Sequence, residues 1–346
     1  MSKRSKGRAA HSWYLQRYPV VLGTSWHVPT YTATVTGPGG TIYQFVNVTF
    51  TVSTDVPTPT YTWSVGSGGS IVSGQGTTSL VVRFTGTGSR SVTCDVTGGG
   101  TASDTESVTV TAFTPAAFSN LAGWWDFSSA SYVTKDGSNL ISAVTDRSGN
   151  GRGLAQATST FRPVWAASAR NGLGAMQLDN ADDLLESSVI APTNWIGSGT
   201  EVTIISFQTW TGGRFGWQLN TAKTGAASRF QLDMAGSTLW AVDNGGTSAL
   251  VTMAAVSSGT AFLDVLRWKT GEKVSVRRYS GGSSVAYESA STFSTTFSTN
   301  MGVFYGRRDP NGLQGNNFES MIFARKLTDA EVVSIKDYIE AKWGAI

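Results

Sequence analysis

The sequence has few of the residues that most enzymes use at their active sites. Its one cysteine, Cys94, excludes a disulfide within the chain. Its two histidines, His11 and His27, both lie in the first 29 residues, so a Ser-His-Asp or Cys-His arrangement or a Cys/His metal centre is not expected in a folded domain. No glycine-rich phosphate loop precedes a helical pattern. Nucleophilic, zinc and nucleotide chemistry are therefore not predicted.

Charged residues are also scarce, at 14% of the chain, and residues 18–54 and 56–82 each contain none. Both stretches are rich in Thr, Ser and Gly and are broken by prolines, so neither predicts a membrane span. A secretory signal needs a basic start followed by roughly 7–15 apolar residues. The basic start here leads into polar residues instead. We expect no membrane association and no Sec-type export.

What the sequence does contain favours many short strands. The chain has 346 residues, enough for two domains, with 40 glycines and abundant Ser and Thr. Twelve Trp, 16 Phe and a 40% apolar fraction are sufficient to form hydrophobic cores. The predicted fold class is all-β, with few helices.

Positive charge is concentrated in an N-terminal arm, residues 1–29. Four cations and no acid lie in the first eight residues; removing these four from the 26 Lys and Arg leaves 22 against 23 Asp and Glu. Such an arm binds an acidic surface by charge, and a merely solvated end is the alternative. The predicted contact residues are Lys3, Arg4, Lys6, Arg8, Trp13, Tyr14, Arg17 and Trp26.

Residues 30–113 show period-two alternation of apolar side chains, interrupted by Gly, Pro and Ser clusters, which predicts a Greek-key β-sandwich of six or seven strands. Segments 61–65 (YTWSV), 74–76 (GQG), 81–84 (VVRF) and 91–96 (SVTCDV) resemble the PKD and bacterial immunoglobulin-like family. The resemblance implies that Trp63 packs under the strand of Cys94, that this cysteine is a small buried hydrophobe, and that the module is a spacer or docking unit.

A linker is predicted at residues 114–120, and Pro115 within it predicts two separable sandwiches, each with its own core. The remaining domain, residues 121–346, contains 121–126 (LAGWWD), 146–151 (DRSGNG), 179–184 (DNADDL), 318–319 (FE), 325–331 (RKLTDAE) and 342–344 (KWG). These segments, in this order, resemble the concanavalin A-like, laminin-G-like domains of phage and bacterial surface proteins. The resemblance implies a jelly-roll sandwich. Val144 departs from the pattern, because related sequences carry a Trp there.

The end of the chain predicts one helix. Thr328 and Glu331 have the spacing of a capping box, apolar residues follow at helical intervals, and Gly344 is a helix stop. We expect an amphipathic helix from Asp329 to Trp343 that lies against one sheet.

Hydrolysis of glycans is the enzymatic alternative, because jelly-roll glycosidases exist. Retaining hydrolysis needs two carboxylates about 5–5.5 Å apart, and no strand-like segment has the Glu-x-Asp-x-x-Glu type of spacing that would place them on one face. Glu201, Glu272, Glu288 and Glu319 are expected to be isolated. The prediction is that the chain is not an enzyme.

Two kinds of binding site are candidates. Asp179, Asp182 and Asp183 could supply oxygen ligands to Ca²⁺, with a polar turn held by aspartate side chains as the alternative; no other cofactor is predicted. Exposed aromatic faces bind sugars, but large aromatics also fill sandwich cores. The aromatic candidates for glycan binding are Trp195, Trp210, Trp217 and Trp240.

Extracellular-type domains without an export signal suggest assembly inside a cell and release by lysis. We therefore expect a non-enzymatic phage virion protein, a capsid decoration or head-fibre protein exposed on the particle surface. Its expected partners are the major capsid protein or other virion proteins through the arm, and a host surface glycan, with no specific nucleic acid; a homo-oligomer is compatible with this. A tail-fibre or baseplate adhesin and a bacterial cell-surface carbohydrate-binding protein are the alternatives.

Overall fold

The computed structural model describes residues 29–179, 181–213, 215–220, 228–233, 238–244, 247–306 and 313–346. The arm predicted at residues 1–29, with all its predicted contact residues, lies outside these ranges except for Pro29. The all-β prediction is confirmed. No helix in the described ranges is long and apolar enough to cross a membrane.

The first part of the chain folds into two four-stranded sheets, with strand orders β1-β3-β6-β5 and β2-β8-β7-β4. Neighbouring strands are antiparallel except β2 and β8, which pair in parallel. The strands are β1 (Ala33–Thr36), β2 (Ile42–Tyr43), β3 (Asn47–Thr54), β4 (Thr60–Val65), β5 (Gly69–Ser73), β6 (Ser79–Phe84), β7 (Gly88–Thr97) and β8 (Thr101–Thr111).

Trp63 is the anchor of this first sandwich. It is buried, its Nε1 donates to the carbonyl of Thr77 at 2.8 Å, and the side chain of Gln75 bonds both its backbone N–H and its carbonyl. Cys94 is its cross-strand neighbour on β7, so the two lie side by side in one sheet and not one beneath the other. Burial raises the pKa of the Cys94 thiol to about 11. This cysteine is therefore a buried apolar residue, as predicted.

The second part of the chain forms two nine-stranded sheets. The helix-covered sheet has the order β13-β14-β26-β16-β22-β23-β24, with β9 and β17 also paired to β26, and the opposite sheet has the order β10-β11-β12-β15-β25-β18-β19-β20-β21. The strands are β9 (Leu121–Asp126), β10 (Val133–Lys135), β11 (Ile141–Val144), β12 (Leu154–Ala155), β13 (Val164–Arg170), β14 (Leu173–Asp179), β15 (Leu184–Glu186), β16 (Glu201–Thr209), β17 (Gly212–Gly213), β18 (Phe215–Asn220), β19 (Ser228–Asp233), β20 (Thr238–Asn244), β21 (Thr247–Met253), β22 (Ala261–Lys269), β23 (Glu272–Ser280), β24 (Ser283–Phe293), β25 (Gly302–Gly306) and β26 (Leu313–Phe323). Four single-turn 3₁₀ helices lie at Pro115–Ala117, Ala130–Tyr132, Ser159–Phe161 and Pro192–Asn194.

Helix α1 (Asp329–Trp343) has the predicted bounds and the predicted capping box. Its buried side chains Val332, Ile335, Ile339 and Trp343 pack on the outer face of the helix-covered sheet. The ring of Trp343 lies 5.2 Å from Phe318 and 6.0 Å from Phe207 between centroids. A separate core, which includes Trp125 and Trp268, fills the space between the two nine-stranded sheets.

The first sandwich contacts the second through helix α1. Ser334 Oγ donates to the carbonyl of Phe45 at 2.6 Å, and Arg83 on β6 forms an ion pair with Asp337. Phe45 and Phe113 belong to the apolar cluster beneath the helix, whereas the cluster around Trp63 lies wholly within the first sandwich. Each sandwich thus has a cluster of its own, and Phe45 and Phe113 in addition pack across the boundary between the two.

Candidate functional site

A polar platform lies on β14 and β26, near one edge of the helix-covered sheet. Gln177 pairs with Asn316, and Asp179 pairs with Gln314, across the two antiparallel strands. Alternate residues of a strand share one face, so these four side chains form a two-by-two array on one face. The intervening residues Met176 and Leu178 pack in the core between the sheets. The alternation of apolar and polar residues thus places four hydrogen-bonding groups together.

The platform forms one wall of a cleft of about 390 Å³, which we call the polar cleft. Val164 on β13 is the cross-strand partner of Gln177, and Gly212 on β17 is that of Gln314, so the platform continues on both sides. Further lining residues are Ser159, Thr160, Arg162, Asp182, Asp183 and Thr211. The cleft thus combines amides, hydroxyls and carboxylates with an apolar flank at Val164, which is 38% exposed.

Asp183 is the buried acid of the cleft. Its Oδ2 accepts the backbone N–H of Asp179 at 2.9 Å. Burial raises the pKa of Asp183 to about 7, and the charges of Asp179 and Asp182 act in the same direction. The group therefore changes its protonation near neutral pH, and it is positioned by backbone contacts of the loop that joins β14 to β15.

Arg162 supports the cleft wall. Its Nε donates to the carbonyl of Gln156 at 2.9 Å, and one terminal nitrogen donates to the carbonyl of Ala157 at 2.9 Å. Another terminal nitrogen lies 3.9 Å from a carboxylate oxygen of Asp136. The guanidinium is thus used within the protein to hold the turn around Ser159–Phe161.

Asn316 offers the cleft a hydrogen-bond acceptor. Its backbone N–H is bonded to Thr209 Oγ1 at 3.0 Å. Its side-chain Oδ1 is buried and has no hydrogen-bond partner among the described residues. A buried acceptor without a partner costs free energy, and this oxygen can accept from a ligand only after the amide of Asn316 turns towards the cleft.

The aspartates predicted as calcium ligands line this cleft, but their oxygens serve other contacts. Asp179 Oδ1 accepts the N–H of Ala181 at 2.8 Å, which closes a local turn. Within the described ranges, no group of three or more His, Cys, Asp or Glu side chains is arranged to hold a metal ion. The hydrogen bonds of Asp179 and Asp183 are those of a polar turn, and the calcium site stays a prediction.

The four tryptophans predicted for glycan binding differ in where the structure places them. Trp195 is fully buried, with its Nε1 bonded to the carbonyl of Met301 at 2.9 Å, so the prediction for it is wrong. It fills the space between the two sheets. Trp210 is half-buried, adjoins the cleft residue Thr211 in sequence and donates to the carbonyl of Gly213 at 3.2 Å. The side chains of Trp217 and Trp240 lie outside the described part of the structure.

Glu319, expected to be isolated, is paired instead. It is the cross-strand neighbour of Asp126 on β9, and Lys342 Nζ lies 2.8 Å from its Oε2 and 2.7 Å from Asp126 Oδ2. Trp124, Tyr338 and Trp343 donate three further hydrogen bonds to Glu319. Both carboxylates are fully buried, so the pair has no access to a substrate and joins helix α1 to the sheet.

Sequence reasoning found the three aspartates of the polar cleft but missed Gln177, Gln314 and Asn316. The available signal was the period-two alternation in MQLD (176–179) and LQGN (313–316). These two segments are distant in sequence, and only the register between β14 and β26 brings them together.

Solved structures with a similar backbone arrangement have low sequence identity to this chain. One is a GH54 α-L-arabinofuranosidase, at 15% identity and a TM-score of 0.41 over 59% of this chain and 51% of the other. This chain thus spans about half the length of that protein. Another is domain 4 of the arabinanase AbnA of Geobacillus stearothermophilus in complex with arabinotriose, at 13% identity and a TM-score of 0.36, covering 62% of this chain and 97% of the other. A third is the sialidase CBM40 of Ruminococcus gnavus bound to sialyllactose, at 15% identity and a TM-score of 0.34, covering 46% and 95%.

The sequence comparisons concern the first sandwich. No curated protein sequence matches the chain. One family model does match, and it identifies residues 28–112 as a PKD-like domain.

Proposed function

We propose that this protein is a non-enzymatic glycan-binding protein, carried on a phage particle by its N-terminal arm, and that the polar cleft is its glycan site. The single observation that supports glycan binding is the two-by-two array of Gln177, Asp179, Gln314 and Asn316 beside an apolar flank at Val164. Sugars present hydroxyl groups on both sides of a ring with apolar C–H faces. Amides and carboxylates fixed on strands can bond several such hydroxyls at once.

We propose no glycan hydrolysis because of where the acidic residues lie. Hydrolysis needs two carboxyl groups that flank one glycosidic bond. Asp126 and Glu319 are buried under helix α1, and Asp179, Asp182 and Asp183 are grouped at the end of β14 and in the loop that follows, where they would lie on one side of a bound glycan. Binding, in contrast, needs only the hydrogen-bonding groups of the cleft.

Attachment to a particle is supported by sequence alone. The cations Lys3, Arg4, Lys6 and Arg8 precede the PKD-like domain without an intervening acid. Such a charge distribution favours an acidic partner surface. A chain held at this end would leave the second sandwich, with its cleft, available to a host glycan, and many copies would add avidity to weak single sites.

Glycan binding is tested with the full-length chain by titration with host surface oligosaccharides. Gln177→Ala and Gln314→Ala should each weaken binding about five- to tenfold, because each removes a hydrogen-bonding group worth about 1 kcal/mol. Glu288→Ala is the matched control, since Glu288 is an exposed residue on β24, at the other edge of the same sheet. Equal affinity of all four proteins would refute the cleft as the site, and steady release of reducing ends would refute the non-enzymatic proposal.

Attachment is tested separately by deleting residues 1–29. The truncated protein should still fold and bind glycan but should no longer join purified particles. Full occupancy of the truncated protein on the particle would refute the anchoring role of the arm.

A further inference from the structure

We infer that the polar cleft selects neutral glycans and rejects glycans that carry a carboxylate. This inference rests on the proposed function and specifies the chemical class of its ligand. Three acidic residues, Asp179, Asp182 and Asp183, line the cleft, and Arg162 is the one cation among its described lining residues.

Arg162 is poorly placed to bind an acidic sugar. Its Nε and one terminal nitrogen are bonded to the carbonyls of Gln156 and Ala157, and the guanidinium also faces Asp136. Recognition of a carboxylate by arginine uses two parallel N–H donors. Two of the five N–H groups of Arg162 are already committed to carbonyls, and Asp136 offsets part of its charge.

The acceptors in the cleft require a ligand that donates hydrogen bonds. Asn316 Oδ1 is buried and, among the residues described, has no donor. Asp179 lies on the exposed end of β14, and Asp182 is half-buried in the loop that follows. Sugar hydroxyls can donate to the carboxylate oxygens of Asp179 and Asp182, whereas an ionised carboxylate on a ligand only accepts.

Charge repulsion between the aspartates and an acidic ligand further weakens its binding. Two like charges separated by several ångströms near a protein surface repel by enough to change a binding constant about tenfold, and salt weakens the effect for exposed groups. An acidic ligand in the cleft would face Asp179 and Asp182 together. The discrimination between neutral and acidic ligands should therefore be greatest at low ionic strength.

The experiment uses the full-length chain and a matched pair of probes: a neutral oligosaccharide that binds, and the same oligosaccharide with its primary alcohol oxidised to a carboxylate. At pH 8 and low salt, the neutral probe should bind at least about tenfold more tightly. The double variant Asp179→Asn/Asp182→Asn should bring the two affinities within about threefold. Glu288→Gln, which removes an exposed charge at the far edge of the sheet, should leave the discrimination unchanged.

The outcomes distinguish the inference from the function on which it rests. Equal or tighter binding of the acidic probe by the unmodified chain would overturn the selectivity while leaving glycan binding intact. Discrimination that persists in the double variant would also overturn it, because the aspartates would then not be its cause. If no neutral oligosaccharide binds at all, the proposed function itself is refuted.

Discussion

Glu319 and Asp126 are cross-strand neighbours on β26 and β9, and the ammonium group of Lys342 bridges their carboxylates. Burial raises the pKa of Glu319, an effect that Lys342 opposes and Asp126 reinforces. Burial also acts to raise the pKa of Asp126, but the charge and hydrogen bond of Lys342 outweigh it and hold that pKa below its ordinary value. One helical lysine is thus shared by two buried acids, Arg147 forms a second ion pair with Asp126, and the lysine fixes helix α1 on the sheet.

Lys342→Met should destabilise the second sandwich by about 3–5 kcal/mol at neutral pH, because Glu319 would lose its cation and Asp126 would keep only its ion pair with Arg147. Since the lowered pKa of Asp126 depends on Lys342, its stabilising contribution is present at neutral pH and is lost in acid. The difference between variant and wild type should therefore shrink as the pH falls. Urea unfolding between pH 4 and 8 measures it. Lys336→Met, which removes a partly exposed pair with Glu340, should cost about 0.5 kcal/mol or less.

Asp183→Asn should stabilise the protein at pH 8 by on the order of 1–3 kcal/mol. The pKa of Asp183 in the folded protein, at about 7, lies well above the ordinary value for an aspartate, so the folded chain holds this proton more tightly than the unfolded chain. Wild-type stability should thus fall as the pH rises from about 4 to 7, and the variant should lack this component. The asparagine retains an oxygen to accept the N–H of Asp179. Identical pH profiles of unfolding would contradict the prediction.

Trp63→Ala should destabilise the first sandwich by about 3–5 kcal/mol, since it empties the centre of that core. Trp63→Phe should cost less, because it keeps most of the apolar volume and loses the hydrogen bond to Thr77. Hydrogen exchange, read separately for residues 33–111 and 121–343, localises the effect. Equal loss of protection in both segments would show that the two sandwiches unfold as one unit.

Phe45→Ala should lower the stability of both sandwiches, because Phe45 packs in the cluster beneath helix α1 while belonging to the first sandwich. Phe50→Ala is the matched control: this buried phenylalanine contacts only the first core, and its loss should affect only residues 33–111. The same exchange measurement compares the two variants. If they gave the same pattern, the contact through Phe45 would carry no coupling between the sandwiches.

The features that the sequence predicted well depend on residues close together in the chain. Helix α1 was predicted to its terminal residues because Thr328, Glu331 and Gly344 act within one turn of the ends that they fix. The burial of Trp63 and Cys94 follows from alternation within single strands. In each case the physical cause lies inside a short segment.

The features that could not be predicted from the sequence depend on the pairing register between strands that are far apart in the chain. The contact of Glu319 with Asp126 and the pairing of Gln177 with Asn316 are set by which residues of β26 face those of β9 and β14. Trp195 illustrates the opposite error: residue type suggested a sugar contact, but the space between two sheets buried the ring. Trp195 directly follows the 3₁₀ helix Pro192–Asn194 and lies on no strand, so no strand alternation in the sequence indicates that its ring packs between the sheets.

The central place of β26 has a consequence for how the chain folds during synthesis. This strand pairs with β9, β14, β16 and β17, yet it is synthesised after all the other strands that the structure describes. All strands of the first sandwich have been synthesised once Thr111 has left the ribosome. In contrast, nearly 200 further residues must be synthesised after β9 before its partner strand β26 is available for pairing. Contacts of such long sequence separation form slowly, and unpaired strand edges are prone to misassembly in the meantime. The second sandwich should therefore be the slow, chaperone-sensitive step in the biogenesis of this protein.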